Sequence, residues 1–549
     1  MNHISVQSPV AYLCAEFGLS ADLPFYAGGL GILAGDILKA AADRNFPFVG
    51  VGLLYKGKLA QSAIDERGWQ QDVDRAFDPV AEGIFPVLFD GKPLTVQVTI
   101  ASQRVTLSVH ERIISSTVSL ILLDPDTPEN SPETRRLADI LYCCDDHSQL
   151  QQAILLGCGG YKALKAMGLS PSVYHFNEGR PAFLIWEYVA DIIATQALSF
   201  EDAWQEAKKK IVYTNHTLVA AGNQTYSADL IQPYALPYAE KCHCQTDQLL
   251  AQGQDIPKPN SGLSITRLAL NASRKASGVS MPHTKLAQKA WPEYSWINIT
   301  NGVHQETWQK PEFRKALQPP ELWNAHRQYK HQLMELAVER TGIGYNPDTL
   351  VIAWARRITS YKQLDSIFND LQRLESILRN PARPVQLVVA GKTHPGDENA
   401  KKMLQQVIQL FQSKLSGTAL FLPNYDIPLA QSLVAGVDIW LNTPKFGMEA
   451  SGTSGMKAAS NGVLQATVAD GWSAEVSWEN LGWTLDSQQP ELTLYDLLEQ
   501  EIAPLFYDRN QAGLPTRWIE RMSKTIELTD HYSAARVLRE YREHLYLEK

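Results

Sequence analysis

Short apolar runs of β type alternate with amphipathic helical stretches along the chain, and this alternation restricts the fold more than any other feature. In the C-terminal half the runs are LVIAWAR (350–356), VQLVVAG (385–391), TALFLP (418–423) and VDIWLN (437–442), with helical segments such as ENAKKMLQQVIQLFQSKL (398–415) between them. A strand with no polar face has nothing to present to water, so it belongs in a parallel sheet covered by helices on both sides. Such a doubly wound domain takes its ligands outside the carboxyl ends of its strands. The N-terminal half has its own runs, FPFVGVGLLY (46–55), VTLSVHERIIS (105–115) and VSLILLD (118–124), and a helical stretch over 148–168, enough for a second core. At 549 residues the chain exceeds what one core supports, and its length alone admits two or three domains. The polar, proline-containing stretch of about 308–345 reads as the boundary between two. The expectation is α/β, with two Rossmann-like domains facing across a cleft, over 1–310 and 311–529. The closing helix, about 530–549, is expected to pack back on the first.

The chain carries 50 Lys and Arg against 59 Asp and Glu, a formal charge of -9, which disfavours general affinity for nucleic acid or anionic membrane. The start, MNHISVQSPVAYLCAEFG, lacks a basic segment followed by a long apolar run, and no stretch of about 18 apolar residues occurs. A cytoplasmic protein is expected, with no nucleic-acid or membrane partner. Six cysteines do not make a disulfide framework in a chain this long. Cys143-Cys144 and Cys242-His243-Cys244 lack a second pair at metal-ligand spacing, so plain thiols and no metal are expected.

The most specific segment is GMEASGTSGMKAASNGV, Gly447 to Val463. Small residues let backbone amides approach an anion or a sugar, hydroxyls add donors, and a helix starting near Gly455 would turn its positive end toward phosphate. Lys457 there can form an imine with an aldehyde cofactor if burial or nearby cations lower its pKa. On chemistry alone this is a phosphate or cofactor loop, with an ordinary Gly/Ser-rich turn as the alternative. Gly28-Gly29-Leu30-Gly31, followed at once by a helical pattern, is a second anion site in form. Gly29-x-Gly31-x-x-x-Gly35 also fits a dinucleotide turn, but no acidic residue stands at a strand end about 20 positions on. Arg356, Arg357 and Lys362 follow an apolar run and can converge on phosphate oxygens, or form a solvated basic turn. Trp308 and Tyr425 fit a pocket or plain core, and His216 fits a polar cleft group or a structural histidine.

Several blocks stand in order along the chain. They are LPFYAGGLGILAGDILKAAADRNFPFVGVGLLY near the start, YHFNEGRPAF (174–183), YTNHTLVAAGN (213–223), ITNGVHQETW (299–308), ARRITSYKQ (355–363), VVAGKTHPGDE (388–398) and PNYDIPLAQSLVAGVDIWLNTP (423–444), then EASGT-x-x-MK. Together they resemble the glycogen/maltodextrin (α-1,4-glucan) phosphorylase family in its short form, over nearly the whole chain. The resemblance implies the GT-B type of glycosyltransferase architecture and pyridoxal 5'-phosphate on Lys457, with Arg356, Thr453, Gly455, Trp308 and Tyr425 around the cofactor. It gives Gly28, Gly29, Arg357 and Lys362 to substrate phosphate, and Leu30, Asn301, Glu449, Ala450, Ser451 and Gly452 to the glucosyl unit. The implied reaction is reversible phosphorolysis of glycogen or maltodextrin with inorganic phosphate, giving glucose 1-phosphate with retained configuration. A homodimer is expected by analogy, and control by phosphorylation is not, since no regulatory extension is evident at the start.

Three positions depart from the family wording. Arg180 in NEGRP replaces the usual histidine beside the glucose, KFGMEASG replaces a more basic lead-in with proline, and Gln363 stands where arginine is usual. Arginine adds bulk and a permanent charge, so Arg180 bears on substrate fit. The alternatives are a glucan-binding homologue that has lost catalysis, a nucleotide-sugar glycosyltransferase, and, more distantly, a nicotinamide dehydrogenase or an aminotransferase.

Overall fold

The computed structural model describes residues 4–142, 145–219, 222–254, 262–315 and 317–547. Cys143-Cys144 lies outside them. Two compact units divide the chain: residues 1–58, 75–300 and 537–549 form the first, and 59–74 with 301–536 the second.

The first unit is built on a ten-stranded sheet. Seven of its strands run parallel, in the order Trp296–Asn298, Lys275–Gly278, Ile211–Thr214, Val173–Asn177, Val10–Leu13, Phe48–Leu53, Val118–Asp124. Antiparallel strands led by Gln103–Ser115 extend the far edge. Val10–Leu13 and Val173–Asn177 are buried throughout, as strands covered on both faces must be. The sheet grows outward in both directions from this pair, which makes it the switch point where a crevice opens beyond the carboxyl ends. The closing helical turns pack in this unit. Tyr546 Oη lies 2.9 Å from His175 Nδ1, and His175 Nε2 lies 2.7 Å from Thr214 Oγ1. Burial pushes the His175 imidazole down to about 3, so it stands neutral in the core.

The second unit carries a six-stranded, all-parallel sheet in the order Ala419–Leu422, Val385–Ala390, Leu350–Ala355, Ile439–Asn442, Leu464–Val468, Gly482–Leu485. All four apolar runs of the C-terminal half are strands, and 398–415 contains helix Glu398–Gln412, started by the Asp397 carboxylate on the Ala400 N-H. Here the switch point lies between Leu350–Ala355 and Ile439–Asn442.

The units differ from the expected division at the boundary, in residues 59–74 and in residues 530–536, which belong to the second unit. The stretch expected as a boundary is mostly one helix of the second unit, Pro319–Thr341. Its two prolines occupy the first turn, where their missing N-H groups cost nothing, Gln318 and Glu321 form a capping box, and Gly342 closes it at φ 71°. The division falls between Thr300 and Asn301, because Val303 exchanges backbone hydrogen bonds with Tyr532 and Ala534 of the second unit. Residues 59–74 form a hairpin that also belongs there, tied by Lys401 to Asp72 at 2.6 Å and by the Thr393 N-H to Gln70 at 2.9 Å. Among the described residues no single helix is long and apolar enough to cross a membrane.

Candidate functional site

In the second unit the chain leaves strand Leu350–Ala355 directly into Arg356 and Arg357, at the carboxyl side of the switch point. Lys362 ends a short 3-10 turn, Ser360–Lys362, whose last carbonyl accepts from Thr443 Oγ1 at 3.2 Å, so the neighbouring strand end holds the turn in place. Gln363 follows at φ 52°, a left-handed conformation that completes the turn. Glu449 meets these cations. Its carboxylate bonds Lys362 Nζ and lies 3.0 Å from Arg356 Nη1, all three side chains being buried. Arg357 is half-buried beside them in sequence.

Burial, with Arg356 close by, brings the Lys362 ammonium down to about 8 despite its carboxylate partner. Burial alone would raise the Glu449 carboxyl, but Lys362 and Arg356 outweigh it and hold the group below the usual carboxylate range. The Glu449 N-H donates to Asp470 at 3.0 Å, and the Gly471 N-H to the other Asp470 oxygen at 2.9 Å, which fixes the loop carrying Glu449, Ala450 and Ser451. Gly471 stands at φ 57°, and a Cβ there would meet the Ser451 carbonyl oxygen at 2.5 Å. Sequence reasoning missed Asp470, which lies outside every motif.

Gly452 sits at φ 80° and leads through Thr453 into helix Ser454–Ala459, which contains Gly455 and Lys457. Lys457 is buried, with Nζ 3.6 Å from the centre of the Trp308 ring. Asn461 Nδ2 joins the Trp308 and Lys457 carbonyls at 2.9 and 2.8 Å, so the lysine and its aromatic neighbour are fixed by one side chain. A Cβ on Gly455 would stand 2.9 Å from Gln465 and 3.0 Å from Trp472, so the helix packs closer than any larger residue would permit. Tyr425 packs against the apolar cluster around Leu333 and Leu433. Asn301 Oδ1 and Ser451 Oγ are buried without a hydrogen-bond partner.

The remaining residues singled out in the sequence lie in the first unit. Gly28 caps helix Gly29–Asp43, Gly29 is exposed and Leu30 half-buried. Two donors there are already used: the Ala27 and Gly28 N-H groups donate to Glu16 Oε2 at 2.8 and 3.0 Å. Arg180 donates to Gln149 Oε1 at 2.6 Å and lies 4.7 Å from the centre of the Tyr142 ring. His216 bonds the Asn177 side chain, and burial keeps its ring neutral, down to about 3. The His216 N-H donates to Glu178 at 2.8 Å. Burial pushes the Glu178 carboxyl up to about 8, and its backbone sits at φ 73°. Glu16, Tyr142 and Glu178 escaped notice in the sequence, although Glu178 lies inside the NEGRP block.

Residues 309–482 match the family model described as carbohydrate phosphorylase. Maltodextrin phosphorylase of Thermococcus litoralis is 35% identical over 99% of this chain and 71% of its own length. Glycogen phosphorylase of Mycobacterium tuberculosis is 32% identical over 98% of this chain and 70% of its own, and that of Aquifex aeolicus 32% identical over 97% and 85%. With an ion cluster and a buried lysine at the carboxyl edge of a parallel sheet, and this identity along almost the whole length, the chain belongs to the carbohydrate phosphorylase family.

Proposed function

We propose that the protein is an α-1,4-glucan phosphorylase that transfers the terminal glucosyl unit of glycogen or maltodextrin to inorganic phosphate, in the cytoplasm and with pyridoxal 5'-phosphate as cofactor. The observation that carries it is the buried cluster of Arg356, Lys362 and Glu449 at the switch point, beside the motif that contains Lys457. Lys457, Arg356, Thr453, Gly455, Trp308 and Tyr425 would hold the cofactor. The donor set suits it: an amine for the aldehyde, an aromatic face for the ring, and a guanidinium with a hydroxyl for the phosphate. When bound, the cofactor supplies a phosphate whose second pKa, about 6, suits proton exchange at neutral pH.

The protein groups then have distinct tasks. Arg357 and Lys362 bind the substrate phosphate; in the first unit the helix start at Gly28–Leu30 is a phosphate-binding element by its form, with the Gly29 and Leu30 N-H groups as its donors, since Glu16 takes those of Ala27 and Gly28. As that phosphate takes up Lys362, the Glu449 carboxylate is freed to accept a sugar hydroxyl, together with Asn301 and Ser451. The developing oxocarbenium ion is stabilised by the anion held beneath it, and no pair of protein carboxylates is required. The Ala450–Gly452 backbone lies against the glucosyl unit and excludes water that would hydrolyse it. A homodimer is part of the proposal by analogy only.

The decisive assay is phosphate-dependent formation of glucose 1-phosphate from maltodextrin by purified protein loaded with pyridoxal phosphate. Product formed only when phosphate is present carries the reading. Cofactor-loaded protein that binds maltodextrin without yielding product sinks it in favour of a binding protein.

A pH dependence follows from Lys362. Its folded pKa is lowered to about 8, so the ammonium is charged below that pH and lost as pH rises through it. Affinity for substrate phosphate should therefore fall on the alkaline side of about pH 8. In Lys362→Arg, whose charge does not titrate in this range, the overall rate is lower but that limb moves up by at least 1 unit, roughly. An unmoved limb would assign the titration to another group.

A further inference from the structure

Arg180 stands at the carboxyl edge of the first unit's sheet, three residues beyond strand Val173–Asn177, and its contacts lead to the helix start at Gly28. The guanidinium lies over the Tyr142 ring at 4.7 Å, the Tyr142 hydroxyl donates to Glu16 Oε1, and Glu16 Oε2 accepts the Ala27 and Gly28 N-H groups at 2.8 and 3.0 Å. A second arm runs from Arg180 to Gln149, which also accepts from Gln224.

Three further observations show that this arrangement is built. A Cβ on Gly31 would stand 2.7 Å from Glu16 Cβ and 2.8 Å from Glu16 Oε2, so glycine is what lets the carboxylate reach the start of the helix. Tyr142 and Glu178 hold left-handed backbone conformations, φ 60° and 73°, which cost non-glycine residues free energy and are retained where the surroundings fix them. Finally, Glu16 and Arg180 follow the two strands that form the switch point, three residues beyond Leu13 and Asn177 respectively.

We infer that Arg180 is a positioning residue for the substrate phosphate, acting through Tyr142 and Glu16 on the helix start at Gly28–Leu30. This rests on the phosphorylase reading above. Glu16 takes the amides of Ala27 and Gly28, which leaves Gly29 and Leu30 as the donors turned to phosphate. A bare carboxylate so near would repel that anion. The Tyr142 hydrogen bond and the Arg180 charge behind it offset the repulsion and hold Glu16 in one orientation. Arginine at this position thus serves the phosphate side of the reaction.

The test measures inorganic phosphate binding to the holoenzyme by calorimetry, together with KM for phosphate and for maltodextrin, in wild type, Arg180→Ala, Arg180→Lys and Tyr142→Phe. In Arg180→Ala and Tyr142→Phe the phosphate constants should rise about tenfold while KM for maltodextrin stays within about twofold, and a variant carrying both substitutions, Arg180→Ala with Tyr142→Phe, should be no worse than Arg180→Ala alone. Arg180→Lys should recover part of the loss, since the charge remains and the planar stack does not. Tyr142→Phe removes one hydroxyl from the surface of the ring's contact and keeps the test open if Arg180→Ala fails to fold. A rise in maltodextrin KM alone would place Arg180 on the sugar, and unchanged phosphate constants, or a wild type that does not bind phosphate, would overturn the inference outright. A wild type that binds phosphate yet forms no glucose 1-phosphate would remove the proposed function and leave the calorimetric comparison to decide this one.

Discussion

Lys457→Ala should abolish glucose 1-phosphate formation, by more than about a thousandfold, and remove the bound-cofactor absorbance in the same protein. The size follows from what the side chain does. The amine is buried, stacked on Trp308, and set in helix Ser454–Ala459, where alanine is a favourable replacement and leaves the backbone undisturbed. The Asn461 bonds that tie this helix to Trp308 use main-chain oxygens, so they survive the substitution. Loss of activity with an unchanged unfolding profile therefore reads as loss of the cofactor attachment. Equal loss of structure would make the result uninformative about chemistry, and Lys457→Arg then serves as control, since it keeps charge and stem but cannot hold an aldehyde. Activity retained by either variant with cofactor present would end the proposed role of Lys457.

How much of this was readable beforehand depends on distance along the chain. The strands were legible because parallel strands are buried on both faces and leave unbroken apolar runs; Leu350–Ala355 and Val385–Ala390 show it directly. Helix Pro319–Thr341 was hidden because its polar surface and paired prolines imitate a loop, although prolines in a first turn favour a helix. The exchange of residues 59–74 into the second unit was invisible for another reason. The partners Asp72 and Lys401 stand 329 positions apart, and no local pattern encodes that pairing.

The same division runs through the candidate site. Motif wording exposed Glu449, Lys457 and the Arg356–Lys362 cluster, because their chemistry is concentrated in short segments. It did not show that Glu449 closes an ion pair with Lys362 from 87 positions away, or that Tyr142 reaches Glu16 across 126. Residues that orient others, such as Asp470 and Glu16, carry no signature of their own, since a carboxylate that accepts backbone N-H groups looks in sequence like any surface acid.

Asp438→Ala should destabilise the second unit by about 3–5 kcal/mol, read as a lower urea midpoint, because it strands the buried Lys330 ammonium. Asp438 is fully buried beside strand Ile439–Asn442. Its carboxylate bonds Lys330 Nζ, lies 2.8 Å from His326 Nε2 and accepts the Val351 N-H at 2.7 Å. Burial would raise this carboxyl, but Lys330 and His326 more than offset it and hold the group below its ordinary range. A carboxyl with a depressed folded pKa contributes its stability above the unfolded value and loses it as pH falls through the folded one, so the effect of Asp438→Ala is full at neutral pH and shrinks only in acid. The triple change His326→Phe, Lys330→Met, Asp438→Leu separates charge from packing. It should recover most of the loss, because replacing a whole buried ion cluster with apolar groups is often neutral, yet fall short by about 1–3 kcal/mol since the Val351 N-H is left without an acceptor. A single Asp438→Ala variant with the midpoint of the wild type would mean that Lys330 gives up its proton or reaches water, and that the cluster contributes nothing to the unit's stability.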